Sequence, residues 1–397
     1  MRRTARAPRG DPRRRMHETS ETSSDPARRY ARIRRRLLLA DLVASLAVLA
    51  WMQASGFSRA VARWWSVRLA SEPAALLGYL AVVGVAYALA MLPLRFYGGF
   101  RLEHRFGLSR LTLRGWCAWE AKQLAVSALL GVALIEGLYA LLRNAPGRWP
   151  LWATLGWVGV SVVLARIFPT ILLPLFYRTV PLQDEPLVER LLALCRRSGL
   201  PALGVFRFDL SAESRKANAA LAGLGRTRRV LLSDTLLSGF TPEEIEGVLA
   251  HELGHQRYRH ITKMLLLSGL GSWAAFWLTD VVGGRWVGSL GAQGLSDPAA
   301  FPALALWLSI LGLISLPIQN AISRRFEWQA DRFAVTLTNR PRAFADALRR
   351  LGALNLADPA PPRWVVWLFY DHPPLPQRIA LADQWGSAPL IRNHDAR

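Results

Sequence analysis

Six long apolar stretches constrain this chain most, because about twenty consecutive apolar residues are enough to cross a bilayer as a helix. With 52% hydrophobic residues overall, the alternative of buried helices in a globular core is disfavoured. The sequence therefore predicts a mainly α-helical polytopic membrane protein with about six transmembrane helices. The stretches are residues 37–57, 73–94, 124–142, 150–177, 264–283 and 302–321.

The distribution of basic residues predicts the orientation of these spans. Residues 1–36 carry 13 Arg against 4 Asp and Glu, and the loop between the second and third spans is also basic. Both belong in the cytoplasm by the positive-inside rule. Residues 179–261 and 324–385 then reach the cytoplasmic face of the cell (inner) membrane. The loop at 55–72, with Arg59, Arg63 and Arg68, runs against the rule.

The two chain ends are predicted to be accessory. Residues 1–36 are rich in Arg, Pro, Ser and Thr, a composition that favours a disordered arm, and residues 386–397 form a tail. The formal net charge of +22 indicates anionic lipid headgroups as partners. No nucleic-acid-binding motif accompanies this charge, so we expect no nucleic-acid partner.

The segment His251-Glu252-Leu253-Gly254-His255 predicts a metal site. Thr241 suits the N-cap of a helix and Glu244 completes a capping box. On this helix His251 and His255 lie one turn apart on one side, where neutral imidazoles bind a metal, and Glu252 faces a metal-bound water.

A third ligand is available in the helical run at residues 323–331. Glu327 and Asp331 are four residues apart and share a face, so Glu327 would complete a two-His-one-carboxylate site. Asp331 would then accept the other N–H of a ligand histidine. The alternative is a solvated helix face, on which Arg324 or Arg325 pairs with these acids.

Three segments together resemble the type I CAAX prenyl protease family of integral-membrane zinc endopeptidases. They are HELGH at 251–255, SRRFEWQAD at 323–331 and DHPPLPQRI at 371–379. Similar family segments lie at 92–107, 172–182 and from Asn218 onward, so the resemblance covers roughly residues 75–382. It implies a zincin-like cytoplasmic metalloprotease unit that contains a small β element.

The resemblance implies roles for individual residues. One Zn²⁺ per chain would be held by His251, His255 and Glu327. Glu252 would be the general base, and His372 would stabilise the oxyanion or donate a proton to the leaving amine.

A second group of residues would support the site and the substrate. Arg378 resembles the family arginine of this kind, and Asn218 would contact the peptide backbone. Residues 229–232 are a candidate edge strand for pairing with an extended substrate, with a core strand as the alternative. Ala220 stands where the family has a tyrosine.

The leading interpretation is a zinc metalloendopeptidase that cleaves membrane-associated or lipidated, CAAX-like peptides or proteins. One alternative is a heat-shock-type metalloprotease for membrane-protein quality control; the other is an inactive membrane scaffold or transporter. Oligomeric state and physiological substrate stay open. The predicted organisation is a four-span region at 37–178, a catalytic unit at 179–261, a two-span hairpin at 262–323 and a second catalytic unit at 324–385.

Overall fold

The computed structural model describes residues 12–223 and 228–387. Fifteen α-helices and a small sheet are assigned there. The helices are α1 Pro12–Ala54, α2 Phe57–Arg68, α3 Glu72–Phe96, α4 Leu102–Arg105, α5 Leu113–Asn144, α6 Trp149–Ile167, α7 Leu173–Phe176, α8 Glu185–Arg197, α9 Asp234–Gly239, α10 Pro242–Arg257, α11 His260–Ser289, α12 Phe301–Thr338, α13 Pro341–Leu354, α14 Arg363–Phe369 and α15 Leu375–Ser387. The strands are β1 Thr179–Pro181, β2 Val205–Phe208, β3 Ala219–Ala222 and β4 Arg229–Ser233.

Six helical stretches of the described chain are long and apolar enough to cross a membrane, which confirms the predicted fold class. Two of them are interrupted: π-helical turns at Tyr97–Arg101 and Phe168–Leu172 join neighbouring α-helices. The second turn contains Pro169 and leads into α7, which contains Pro174. The fourth span is therefore distorted at its prolines, which disturb the helical hydrogen-bond ladder. The spans are Pro26–Ala54, Glu72–Arg105, Leu113–Asn144, Trp149–Phe176, His260–Ser289 and Pro298–Thr338.

The described part of the basic arm differs from the prediction of disorder. Helix α1 begins at Pro12, and its buried stripe Ala27, Tyr30 and Ala31 packs against the body of the protein. The Tyr30 hydroxyl donates to Glu103 Oε1 at 2.6 Å. The prediction used the average composition of residues 1–36, which does not show the short i, i+3, i+4 pattern of these three residues. Residues 1–11 of the arm and residues 388–397 of the tail lie outside the described chain.

The four strands form one mixed sheet with the order β1-β2-β4-β3. Strand β4 pairs in parallel with β2 and antiparallel with β3, so it is central. The prediction that residues 229–232 form an edge strand is therefore wrong, and the alternative of a core strand holds. Its side chains Val230, Leu231 and Leu232 are all buried, as expected for a strand covered on both faces. The edge is β3.

The helix that carries HELGH starts as predicted. The Thr241 N–H donates to Glu244 Oε2 at 2.7 Å, and the Glu244 N–H donates to Thr241 Oγ1 at 3.3 Å, which completes the capping box. Ile245, Leu249 and Leu253 are buried in the main core cluster with residues of α8, α13 and the sheet. This apolar stripe fixes the rotation of α10 about its axis, and so decides where its histidines point.

Helix α12 runs without interruption from a membrane span into the segment that carries Glu327. The boundary predicted at 323/324 thus falls inside one 38-residue helix. Helices α10 and α12 cross closely at Gly254, because a Cβ added there would lie 2.9 Å from the Ala330 Cα and 3.3 Å from its Cβ. Only glycine permits this separation without a shift of one backbone.

We predict that Gly254→Ala destabilises the protein. Alanine favours a helix over glycine by up to about 1 kcal/mol, but the overpacked crossing costs about 1–3 kcal/mol. The net loss is measured by thermal unfolding in detergent. Gly271→Ala in α11, where no atom lies within 4 Å of the added Cβ, is the matched control. Equal melting temperatures for the two variants would contradict the close crossing.

Candidate metal centre

Three side chains from α10 and α12 converge on one point. His251 Nε2 and His255 Nε2 lie 3.1 Å apart. The Glu327 carboxylate faces both, with Oε2 at 3.3 Å from His251 Nε2 and Oε1 at 3.2 Å from His255 Nε2. One ligand atom from each residue lies within 4.8 Å of the others, and this is the metal-binding group found among the described residues.

The chemistry of this group fits a divalent cation. Glu327 is only 2% exposed, and its Oε2 has no hydrogen-bond partner in the described chain. Burial alone would lower the pKa of His251, but the neighbouring carboxylates of Asp331 and Glu327 outweigh it and raise that pKa to about 9. The buried Glu327 carboxylate thus faces two imidazoles, and a bound cation would balance its charge.

Asp331 and Arg378 form a buried ion pair behind His251. Arg378 Nε donates to Asp331 Oδ2 at 2.8 Å and Nη2 donates to Oδ1 at 2.6 Å. Asp331 Oδ1 also lies 2.9 Å from His251 Nδ1, so it accepts the N–H on that side of the ring. Burial alone would lower the pKa of Arg378, but Asp331 and Glu327 raise it. The arrangement leaves His251 Nε2 directed at the metal position.

His260, to which sequence reasoning gave no role, supports His255 in the same way. Its Nδ1 lies 3.1 Å from His255 Nδ1, and its Nε2 lies 2.9 Å from Gln329 Oε1. Because the amide oxygen only accepts, His260 carries its proton on Nε2 and accepts from His255 Nδ1–H. His255 Nε2 is then unprotonated. His260 is 2% exposed, and its ring stacks on Phe326 at 4.2 Å.

The backbone between α10 and α11 makes this contact. Arg259 adopts a left-handed conformation with φ 55°, which ends one helix and starts the next. The break folds His260 back toward His255, whereas a continuous helix places residues five apart on different faces. A left-handed non-glycine residue is uncommon. The left-handed conformation of Arg259 could not be predicted from any pattern in the sequence.

His372 approaches the cluster from the segment before α15. Its Nε2 lies 3.2 Å from Glu327 Oε1, and its Nδ1 lies 2.8 Å from Asp371 Oδ1. The hydrogen bond that His372 donates to Asp371 raises the pKa of His372, against the opposing effect of burial. Its side chain is 53% exposed. His372 can therefore meet both the metal position and a molecule entering from solvent.

A pocket of about 250 Å³ lies beside the cluster. Glu252 is half-buried in its wall, and Asn218 and Ala219 line it at the start of β3. Ala220 instead packs with the apolar cluster around Leu231, on the other face of the sheet. The substitution of the family tyrosine at this position therefore does not open the wall beside the histidines.

Two family models match the chain over nearly its whole length. "Peptidase family M48" matches residues 181–386 and "CAAX prenyl protease N-terminal, five membrane helices" matches residues 2–178. Among the described residues, four of the six candidate spans lie in the second region.

Individual proteins are similar over most of their length. The chain is 28% identical to "Uncharacterized metalloprotease YhfN" of Bacillus subtilis (strain 168), covering 86% of this chain and 81% of that relative. It is 29% identical to "CAAX prenyl protease 1" of Saccharomyces cerevisiae, covering 79% and 73%. The crystal structure of S. mikatae Ste24p superposes with a TM-score of 0.81 at 26% identity, over 91% of this chain and 89% of that one.

We predict that His260→Phe weakens metal binding by about 10–100-fold, the effect typical of removing a partner of a ligand histidine. Phenylalanine preserves the stack on Phe326 but cannot accept from His255 Nδ1–H. Competition with a chromogenic chelator measures the affinity. His104→Phe, which removes a histidine bonded only to the backbone carbonyls of Phe100 and Leu111, is the control. Unchanged affinity in His260→Phe would rule out the supporting role.

Proposed function

The chain belongs to peptidase family M48, and on that premise we propose that this integral-membrane metallopeptidase is a zinc endopeptidase with one Zn²⁺ per chain. The observation that carries the proposal is the convergence of His251, His255 and Glu327 within 4.8 Å. Two imidazoles and one carboxylate are a donor set of catalytic zinc sites, which keep a coordination position open.

Glu252 is proposed as the general base. Zinc, when bound, supplies a Lewis acid and activates water for attack at neutral pH. Glu252 extends from the same turn of α10 as His251 and lines the pocket beside it. Its carboxylate accepts the proton of the attacking water, a step that needs a basic group within hydrogen-bond reach.

His372 is proposed to stabilise negative charge on the substrate, and Arg378 to support the site. His372 carries a raised pKa and points Nε2 into the site, so it donates a hydrogen bond to the developing oxyanion or a proton to the amine. Arg378 Nη1 lies 3.5 Å from Glu327 Oε2, while its other nitrogens hold Asp331. Arg378 thereby orients two carboxylates and lines the substrate pocket.

Strand β3 is proposed to bind the substrate backbone, in place of the central strand that the sequence indicated. It pairs on one side with β4, and no strand pairs with its other side among the described residues. Asn218, exposed at its start, and Ala219 both line the pocket. An extended peptide added to this edge would pass the two histidines, the arrangement of β-strand addition.

Membrane-associated or lipidated peptides are the proposed substrates. A cavity of about 640 Å³, lined by Leu37 and Leu38 of α1 and Leu94 of α3, meets the metal-site pocket at Asn355 and Ala357. It supports a route by which an apolar part of the substrate lies between membrane helices while its peptide reaches the metal. The positive-inside distribution supports an active site on the cytoplasmic face.

We predict that purified protein contains close to one zinc per chain and that Glu327→Ala loses it. Removing the carboxylate leaves two imidazoles, too few for a stable tetrahedral site. Elemental analysis of protein in detergent measures the content. Glu243→Ala, an exposed carboxylate at the start of α10, is the control. Full zinc occupancy in the Glu327 variant would remove this residue from the ligand set.

We predict that Glu252→Gln keeps zinc but lowers the cleavage rate by about 10²–10⁴-fold, the contribution typical of a general base. Zinc content and hydrolysis of a fluorogenic peptide are measured on one sample, so loss of metal is distinguished from loss of the base. The same variant traps membrane peptides that wild-type protein cleaves, and mass spectrometry identifies them. Undiminished hydrolysis would exclude the assigned role.

A further inference from the structure

A second polar cavity lies at the end of the helix bundle remote from the metal. It encloses about 620 Å³ between α2, the first turn of α3, the end of α5 and the loop joining α11 to α12. Glu72, in the wall of this second cavity, begins helix α3, which is about 37 Å long. The chain just after the other end of α3, at Gly98, lines the 640 Å³ cavity that meets the metal-site pocket, so the second cavity is far from the metal site. The volume falls in the range of small-molecule sites, roughly 300–1,000 Å³.

The charges in this cavity are not balanced. Its two carboxylates are already engaged: Glu72 pairs with Arg143 at 3.1 Å, and Asp297 accepts from the backbone N–H of residues 293 and 299 at 2.9 and 2.8 Å. Arg59 and Arg63 also line the cavity, and neither has an ion-pair partner within the described chain. Two guanidinium groups are thus available to an anion.

The loop opposite α2 contacts one of these groups. Gly291 has φ +79°, and a Cβ added there would lie 2.5 Å from Arg59 Nη1. Glycine therefore serves both the turn and the close approach of the guanidinium. The Arg59 guanidinium therefore lies against the backbone of this loop at the cavity wall.

Helix α2 presents a different chemistry on each side. Ser58 is buried, and its Oγ lies 2.7 Å from the Tyr79 hydroxyl, which anchors α2 to α3. Arg59 and Arg63, one turn apart, line the cavity. Beside them Trp64 and Val67 are 48% and 79% exposed. Basic side chains next to exposed apolar ones, with tryptophan among them, are typical of helices at the membrane–water interface.

We propose that this cavity binds the phosphate of a phospholipid headgroup, with Arg59 and Arg63 as its ligands. Guanidinium groups match phosphate oxygens in a bidentate geometry. The exposed apolar side of α2 favours a lipid over a free anion, because it offers a surface to the acyl chains. Binding of a phosphate explains why the segment at 55–72 is basic although the positive-inside rule disfavours basic residues there. It stands independently of the peptidase function.

The test measures binding of phosphatidylglycerol to delipidated protein in detergent by native mass spectrometry. The double variant Arg59→Gln/Arg63→Gln should bind this lipid at least about tenfold more weakly, since both charged hydrogen-bond donors to the phosphate are removed. Arg101→Gln/Arg105→Gln, an exposed pair also four residues apart at the other end of the span, is the charge-matched control and should bind like wild type.

Arg59→Lys/Arg63→Lys keeps the charge but loses the bidentate geometry, so intermediate affinity is expected; this pair also serves if the glutamine pair fails to fold. Equal lipid binding by wild type and by the two Arg59/Arg63 double variants would overturn the site. Complete displacement of phosphatidylglycerol by an equal concentration of inorganic phosphate would show a free-anion site and overturn the lipid assignment. Cleavage of peptides is not used as a readout, so the outcome is separate from that of the proposed function.

Discussion

The close crossing of α10 and α12 at Gly254 and Ala330 is the contact on which the site depends. Glu327 lies on α12, and the two histidines lie on α10, so the crossing distance decides whether the carboxylate reaches the imidazoles. Metal–ligand distances tolerate deviations of about 0.2 Å, less than the shift that a methyl group 2.9 Å from a Cα demands. The glycine inside HELGH therefore has a packing role distinct from the metal chemistry of its neighbours.

Charge balance is the second constraint. Glu327 and Asp331 are almost fully buried, and a buried carboxylate without partners would destabilise the fold by several kcal/mol. Arg378 compensates Asp331 through two hydrogen bonds, and a cation held by the two imidazoles would compensate Glu327. The cation position is thus connected to Arg378 through His251 and Asp331. The pairing with Asp331 explains why Arg378 is buried although it is charged: its side chain is only 8% exposed.

Features of the site that depend on one helix could be predicted from the sequence, and those that depend on how segments meet could not. The N-terminal cap at Thr241 and the i, i+4 pairing of the histidines follow from helical geometry alone. The order of the strands is a tertiary property, so the sequence indicated the wrong edge. His260 was missed because its approach to His255 requires the left-handed Arg259, which no periodicity announces. The six spans needed only length and apolar composition.

The uninterrupted course of α12 has a mechanical consequence for the site. A helix of 38 residues is about 57 Å long, and it carries both a membrane span and Glu327. Tilting of the hairpin formed by α11 and α12 must therefore move the carboxylate relative to α10, unless the helix bends. Pro317 lies inside α12, ten residues before Glu327, where the missing backbone N–H weakens the ladder. A bend at Pro317 would let the part of α12 before it tilt in the bilayer, while the crossing at Gly254 keeps Glu327 beside the two histidines.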